Sequence, residues 1–361
     1  MDIRTAKIEV VRAGRALVEQ GLVSRTWGNV SCRIDGEKFA VTPSGIGYER
    51  LTPDLIVVVD CNTLDYTGDI KPSSECGIHA AVYRKDPEAS FVIHTHQTYA
   101  TCLSVAGFKT LAPTISQQAS LGARIVLAGY GMPGTKKLRR AVMKVYAPDA
   151  RAVLMRRHGA LIAGTGREDA FNRAAMLETI CRNAMKEIAE AHEAALGNAA
   201  LTAKHAGTSS SGTIDVIASE QEDFAVFNSL YKAAFKRWPG LNAVSLLITP
   251  AICAQSSACR LIPALLDDFA QIVGPDALVA EANAPAKAIE KRKGRSAVFL
   301  KNEGVFCFAE DPSDLEAIQA LCEKNALAWQ HAGRFGKVKA LSLIDRYIMR
   351  RWYLTRYSGK R

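Results

Sequence analysis

The chain has 361 residues, a formal net charge of +10, 48% hydrophobic residues and 23% charged ones, which bounds one large or two ordinary domains with a sizeable core. No run of about 18 apolar residues exists, so no membrane span is expected. Nine scattered cysteines without a CxxC exclude a disulfide framework and fit a reduced cytoplasmic setting.

The opening "MDIRTAKIEVVRAGRALVEQ" predicts an amphipathic helix over 5–20 and has no apolar h-region, so no secretory leader is expected. "KFAVTPSG" and "LIVVVD" predict strands. "SECGIHAAVYRKD" predicts a helix over 74–86, and "SFVIH" a strand after it. A further helix is expected at roughly 134–147, and "RAVLMRRHGALIAG" reads as two strands around a turn. A long helix follows over about 167–195. Residues 196–213 are small, polar and Ser/Gly/Thr-rich, the composition of a flexible linker. Beyond about 220 the blocks recur. "YRKDPEASFVIHTH" lines up with "FKRWPGLNAVSLLI", and "RAVLMRRHGALIAGTGREDAFNRA" with "SAVFLKNEGVFCFAEDPSDLEAIQ". This order predicts an internal duplication. In that alignment His94 and His96 fall against Leu246 and Ile248, and His158 against Glu303. Any metal chemistry is therefore expected in the first unit.

Residues i and i+2 of a strand point to one face, so His94 and His96 of "FVIHTHQTYA" can reach one ion. A zinc site needs three or four such ligands. His158, beside a glycine at the end of an apolar strand, is the third candidate. Glu75, at a helix start, is the fourth. His79, one turn beyond Glu75, is expected to have a structural or supporting role. Three short polar segments, "TWGNVS" (26–31), "TPSG" (42–45) and "PSSE" (72–75), read singly as two turns and an N-cap, and together as backbone N–H groups and hydroxyls for an anion. Ser73 and Ser74 precede a helix, where free N–H groups and the dipole attract negative charge. With 7% aromatic residues and no RNA-binding or zinc-finger motif, small phosphorylated substrates rank above nucleic acid as partners.

The series "GNVS", "TPSG", "KPSSE", "HTH" and "RRHG" resembles the class II aldolase/adducin family over roughly residues 5–195, most of all its fuculose-phosphate aldolases. The resemblance implies an α/β fold: a three-layer α/β/α unit with a mostly antiparallel central sheet, here followed by a second truncated copy. The domains expected are a catalytic domain at 1–197, a linker at 198–215 and a degenerate copy at 216–361 with a basic aromatic tail. By the same resemblance, His94, His96 and His158 hold a divalent metal, usually zinc. Glu75 matches the acid/base glutamate, which can also touch the metal. Gly28, Asn29, Ser44, Gly45, Ser73 and Ser74 match phosphate-binding positions. The implied reaction is metal-dependent cleavage of a ketose 1-phosphate to dihydroxyacetone phosphate and an aldehyde through an enediolate. An epimerase, decarboxylase or dehydratase on the same scaffold, or a non-catalytic assembly role, are the alternatives. A cytoplasmic homo-oligomer without membrane or nucleic-acid partners is expected.

Two departures bear on the aldehyde side. Where fuculose aldolases carry a tyrosine after "P-x-I-x", "PTISQQ" puts Gln117, which cannot serve as an acid. "YGMPGT" puts Pro133 in place of a pocket-lining phenylalanine and keeps Tyr130. The tail "RYIMRRWYLTRYSGKR" is expected either to pack on a surface or to close over a substrate.

Overall fold

The computed structural model describes residues 1–23, 27–106, 110–196, 212–217, 234, 241, 243–281, 294–333 and 338–356. The chain forms two compact units, Met1–Glu187 and Ile188–Arg361.

The first unit is built on an eight-stranded sheet. Its strands are β1 (Asn29–Arg33), β2 (Lys38–Val41), β3 (Val57–Asp60), β4 (Phe91–Thr95), β5 (Thr110–Leu111), β6 (Ile125–Ala128), β7 (Ala152–Met155) and β8 (Gly159–Gly164). Their order is β3-β2-β1-β4-β8-β7-β6-β5. Every pairing is antiparallel except β6 with β7. The helices are α1 (Ile3–Glu19), α2 (Cys76–Lys85), α3 (Thr98–Leu103), α4 (Ile115–Leu121), α5 (Lys136–Val145) and α6 (Arg167–Leu196).

Strand alternation divides the layers. Val92 of β4 and Leu161 and Ala163 of β8 join a core with Ile78 and Val82 of α2 and Leu138 and Val142 of α5. His94, two residues past Val92, lies on that same face. α1 packs on β1 and β2, and α3 on β7 and β8. α1 starts two residues before its predicted position because the Asp2 side chain accepts from Thr5 N and caps it.

A buried network pins the turn after α2 to the sheet. Arg151 Nε and Nη2 donate to the two carboxylate oxygens of Asp86 at 2.7 and 3.1 Å, and Tyr146 OH donates at 2.9 Å. Arg33 Nη2 donates to the Asp86 and Tyr83 carbonyls at 2.8 and 2.7 Å. Such bidentate, fully bonded pairs repay the desolvation of their charges better than isolated ones.

The second unit carries β9 (Gly212–Ile217), β10 (Ala243–Ile248), β11 (Leu261–Pro263), β12 (Asp276–Ala280), β13 (Ala297–Leu300) and β14 (Gly304–Ala309). Their order is β11-β12-β13-β14-β10-β9. Read from β9, this is the order of β1-β4-β8-β7-β6-β5, and its one parallel pair, β12 with β13, stands where β6 and β7 do. Arg157 and Asn302 hold the same left-handed turn before β8 and β14, with φ of 65° and 61°. Strand β9 begins inside the stretch expected as linker to 215, while residues 197–211 lie outside the described residues.

Among the described residues, this unit's helices include α7 (Pro250–Ala258), a π-helix Phe269–Val273, α8 (Pro312–Gly333) and α9 (Leu343–Arg356). α9 is most of the basic tail. Its Arg350 donates to the carbonyls of Gln271 and Ile272 at 2.8 and 2.6 Å, and Arg346 to that of Pro275 at 3.0 Å. The guanidinium groups thus satisfy carbonyls at the end of the π-helix. This part of the tail packs on its own unit, and residues 357–361 lie outside the described residues.

Candidate metal centre

β4 runs between β1 and β8, and both neighbours approach it through a glycine. A Cβ on Gly28 would stand 2.4 Å from His94 O, and one on Gly159 would stand 2.1 Å from Thr95 O. Gly28 also needs its φ of 73°. These close approaches place the end of β4, the turn before β8 and the start of α2 around one point.

The imidazoles of His94, His96 and His158 meet there, all buried, with one ring nitrogen of each within 4.8 Å of the others. His94 Nδ1 donates to Ala160 O at 2.9 Å, which turns the Nε2 lone pair inward. His94 Nε2 and His96 Nε2 are 2.8 Å apart. Glu75 closes the group: Oε2 lies 3.3 Å from His94 Nε2 and Oε1 3.3 Å from His158 Nε2. Nitrogens around a tetrahedral zinc ion at about 2.0–2.1 Å stand roughly 3.4 Å apart. The three imidazoles with a carboxylate beside them fit a divalent ion in both donor type and spacing.

Burial lowers the His94 pKa to about 3, against the pull of Glu75. Burial would raise the Glu75 carboxyl, but His94 and His158, with the Asn29 amide, outweigh it and hold it well below the usual range. A neutral imidazole, as at His94, and an ionised carboxylate are the states that a metal requires of its ligands.

Glu75 occupies the N-cap position of α2 without capping it, so its carboxylate points into the site. Asn29 Nδ2 donates to Oε2 at 3.1 Å and Gly134 N to Oε1 at 3.4 Å. Glu75 N in turn donates to Ser73 Oγ at 3.3 Å. Segments 42–45 and 71–74 lie side by side: Pro43 bridges to Pro72, Ser44 N donates to Lys71 O and Ser73 N to Thr42 O. That ladder uses the N–H groups of Ser44 and Ser73, so these residues offer hydroxyls. Ser74 and Gly45 are exposed, and Gly134 stands against Ser74. Gly28 and Asn29 lie at the start of β1, opposite His94. The Asn29 amide, expected beside an anion, is held between Glu75 and His79.

His79 is fully buried, and burial lowers its pKa to about 4. Gln117 completes a capping box on α4, with Thr114 N donating to its Oε1 at 3.0 Å. Its side chain is engaged locally. The pattern Thr114-x-x-Gln117 was the sequence signal for that helix start.

Residues 8–185 match the family model described as "Class II Aldolase and Adducin N-terminal domain". A 5-deoxy-D-ribulose 1-phosphate aldolase from Bacillus thuringiensis serovar kurstaki is 34% identical over 167 residues, covering 45% of this chain and 76% of that protein. The chain belongs to the class II aldolase and adducin family. An L-ribulose-5-phosphate 4-epimerase from Salmonella paratyphi B is 32% identical over 49% of this chain and 83% of that protein. A 3-oxo-tetronate 4-phosphate decarboxylase from Haemophilus influenzae is 30% identical over 47% and 81%. His94, His96 and His158 all lie within the matched residues.

Proposed function

We propose that the first unit is a zinc-dependent lyase that cleaves a ketose 1-phosphate into dihydroxyacetone phosphate and an aldehyde. The observation that carries this reading is Glu75, set between His94 and His158 at the start of α2, directly after the hydroxyls of Ser73 and Ser74. His94, His96 and His158 would hold the ion, with Glu75 able to join them. When bound, the ion supplies Lewis-acid stabilisation of negative charge on a carbonyl oxygen.

The chain's own groups do the remaining work. Gly28, Ser44, Gly45, Ser73 and Ser74 dock the phosphate, helped by the positive end of the α2 dipole. Glu75, ionised and anchored by Asn29, takes a proton from water and gives it to the carbon left negative when the carbon–carbon bond breaks, while the hydroxyl that becomes the aldehyde loses its own proton to a second group. Gln117 offers no acid, so a second proton carrier has to come from elsewhere. The test is release of dihydroxyacetone phosphate from fuculose, rhamnulose and ribulose 1-phosphates by the zinc-loaded protein. Glu75→Gln should abolish it, and full activity in that variant would remove the role.

An epimerase or a decarboxylase is the second reading, supported by relatives of those activities at 32% and 30% identity. Metal-loaded protein that releases no dihydroxyacetone phosphate from any of the three, yet converts a pentulose 5-phosphate or releases carbon dioxide from a 3-oxo acid phosphate, would favour it.

The second unit is, in the same proposal, a degenerate copy that serves as scaffold. The matching strand order and the shared left-handed turn support this, as do Leu246, Ile248 and Glu303 at the ligand positions. A cytoplasmic homo-oligomer completes the reading. A monomer with full activity in light scattering would count against the oligomer.

A further inference from the structure

Three buried polar side chains take no part in the steps above: His79, Ser31 and Tyr83. With Asn29 they form one hydrogen-bonded line that ends on Glu75. Tyr83 OH lies 2.7 Å from Ser31 Oγ, and Ser31 Oγ 2.6 Å from His79 Nδ1. His79 Nε2 lies 2.5 Å from Asn29 Oδ1, and Asn29 Nδ2 3.1 Å from Glu75 Oε2. All five residues are at least nine-tenths buried.

The direction of the line follows from its end. An ionised carboxylate has only lone pairs to offer, so the NH2 of Asn29 faces Glu75. The carbonyl oxygen of Asn29 then faces His79 and needs a hydrogen on Nε2. That leaves a lone pair on Nδ1, which the Ser31 hydroxyl fills by donating. The Ser31 oxygen accepts in turn from Tyr83. A flipped Asn29 would set Oδ1 against Glu75 Oε2, oxygen to oxygen, in a buried site where an unpaired polar contact costs about 1–3 kcal/mol.

We infer that His79, as its Nε2–H tautomer, is a positioning residue that locks the Asn29 amide and through it fixes the Glu75 carboxylate. The inference rests on Glu75 as the proton-moving group. Ser31 and Tyr83 set the tautomer from behind. None of the three touches a reacting atom, and none is a metal ligand.

The first test needs no turnover. In full-length protein with 15N-labelled histidine, two-bond nitrogen–proton spectra at neutral pH should show a neutral His79 ring protonated on Nε2. His79→Gln identifies the signal by its loss. A ring protonated on Nδ1, or on both nitrogens, overturns the inference. The second test uses the zinc-loaded protein with the ketose 1-phosphate that it cleaves fastest. His79→Leu should lower kcat by about 10- to 100-fold with little change in KM, the usual effect of removing a supporting partner. His79→Gln should recover most of that loss, because its amide still donates to Asn29. Equal losses in both variants, tracking a drop in thermal stability, would reduce His79 to packing and overturn the inference. Full activity in Glu75→Gln would instead remove the role of Glu75, and the ring tautomer, read independently, would tell the two failures apart.

Discussion

Gly159→Ala tests how the site is assembled. The added Cβ would stand 2.1 Å from Thr95 O. Carbon–oxygen contacts settle near roughly 3.3–3.6 Å, so β8 and β4 have to part by about 1.2 Å. The opposing atom is a backbone carbonyl beside the Thr95–Ala160 pair, so no side-chain rotation can relieve it. Overpacking typically costs about 1–3 kcal/mol, and the upper end is expected here. The same displacement carries His158 away from His94, and a misplacement of about 1 Å can cost on the order of 100-fold in function. Urea unfolding and zinc competition against a chromophoric chelator measure the two effects. Gly36→Ala is the control, since nothing lies within 4 Å of its added Cβ. Wild-type midpoint and zinc affinity in Gly159→Ala would refute the close-approach argument.

Three further outcomes are expected. Asp86→Ala leaves Arg151 and Tyr146 without their buried acceptor and should cost about 3–5 kcal/mol, read by urea unfolding, with Asp86→Asn losing less. The His79 pKa falls from 6.5 to about 4 on folding, so the unfolded chain binds the extra proton between those values. Stability of the metal-free protein should therefore fall as pH drops from about 6.5 to 4, by up to roughly 3 kcal/mol, and this component should vanish in His79→Gln. His96→Ala should abolish stoichiometric zinc binding, measured by elemental analysis, while leaving the far-ultraviolet circular dichroism unchanged.

The meeting of His94 and His96 was legible because strand alternation alone sets both on one face, whereas the close pass of β8 over β4 at Gly159 shows only in the packed unit. The helices at 3–19, 76–85, 136–145 and 167–196 carried plain apolar periodicity and lie within a few residues of expectation. The region between 98 and 128 did not: α3, α4, β5 and β6 are two to seven residues long, too short for periodicity to speak. Asn29 showed a second limit. Its motif placed it beside an anion, but its amide partners, Glu75 and His79, lie 46 and 50 residues away and become visible only in the packed unit. Gln117 showed a third: read only as a replacement for a tyrosine, it completes a capping box on α4, a helix the sequence reading did not place.

The sheet of the second unit repeats the strand order and the left-handed turn of the first, yet carries Leu246, Ile248 and Glu303 where the sequence alignment sets imidazoles in the first. A sheet of this strand order therefore does not call for imidazoles at those positions. In small zinc domains the metal is the keystone, and its loss is unfolding. In the first unit an ion held by His94, His96 and His158 would be a guest in a finished room: its loss, or its exchange for another metal according to supply, would leave the walls where they are.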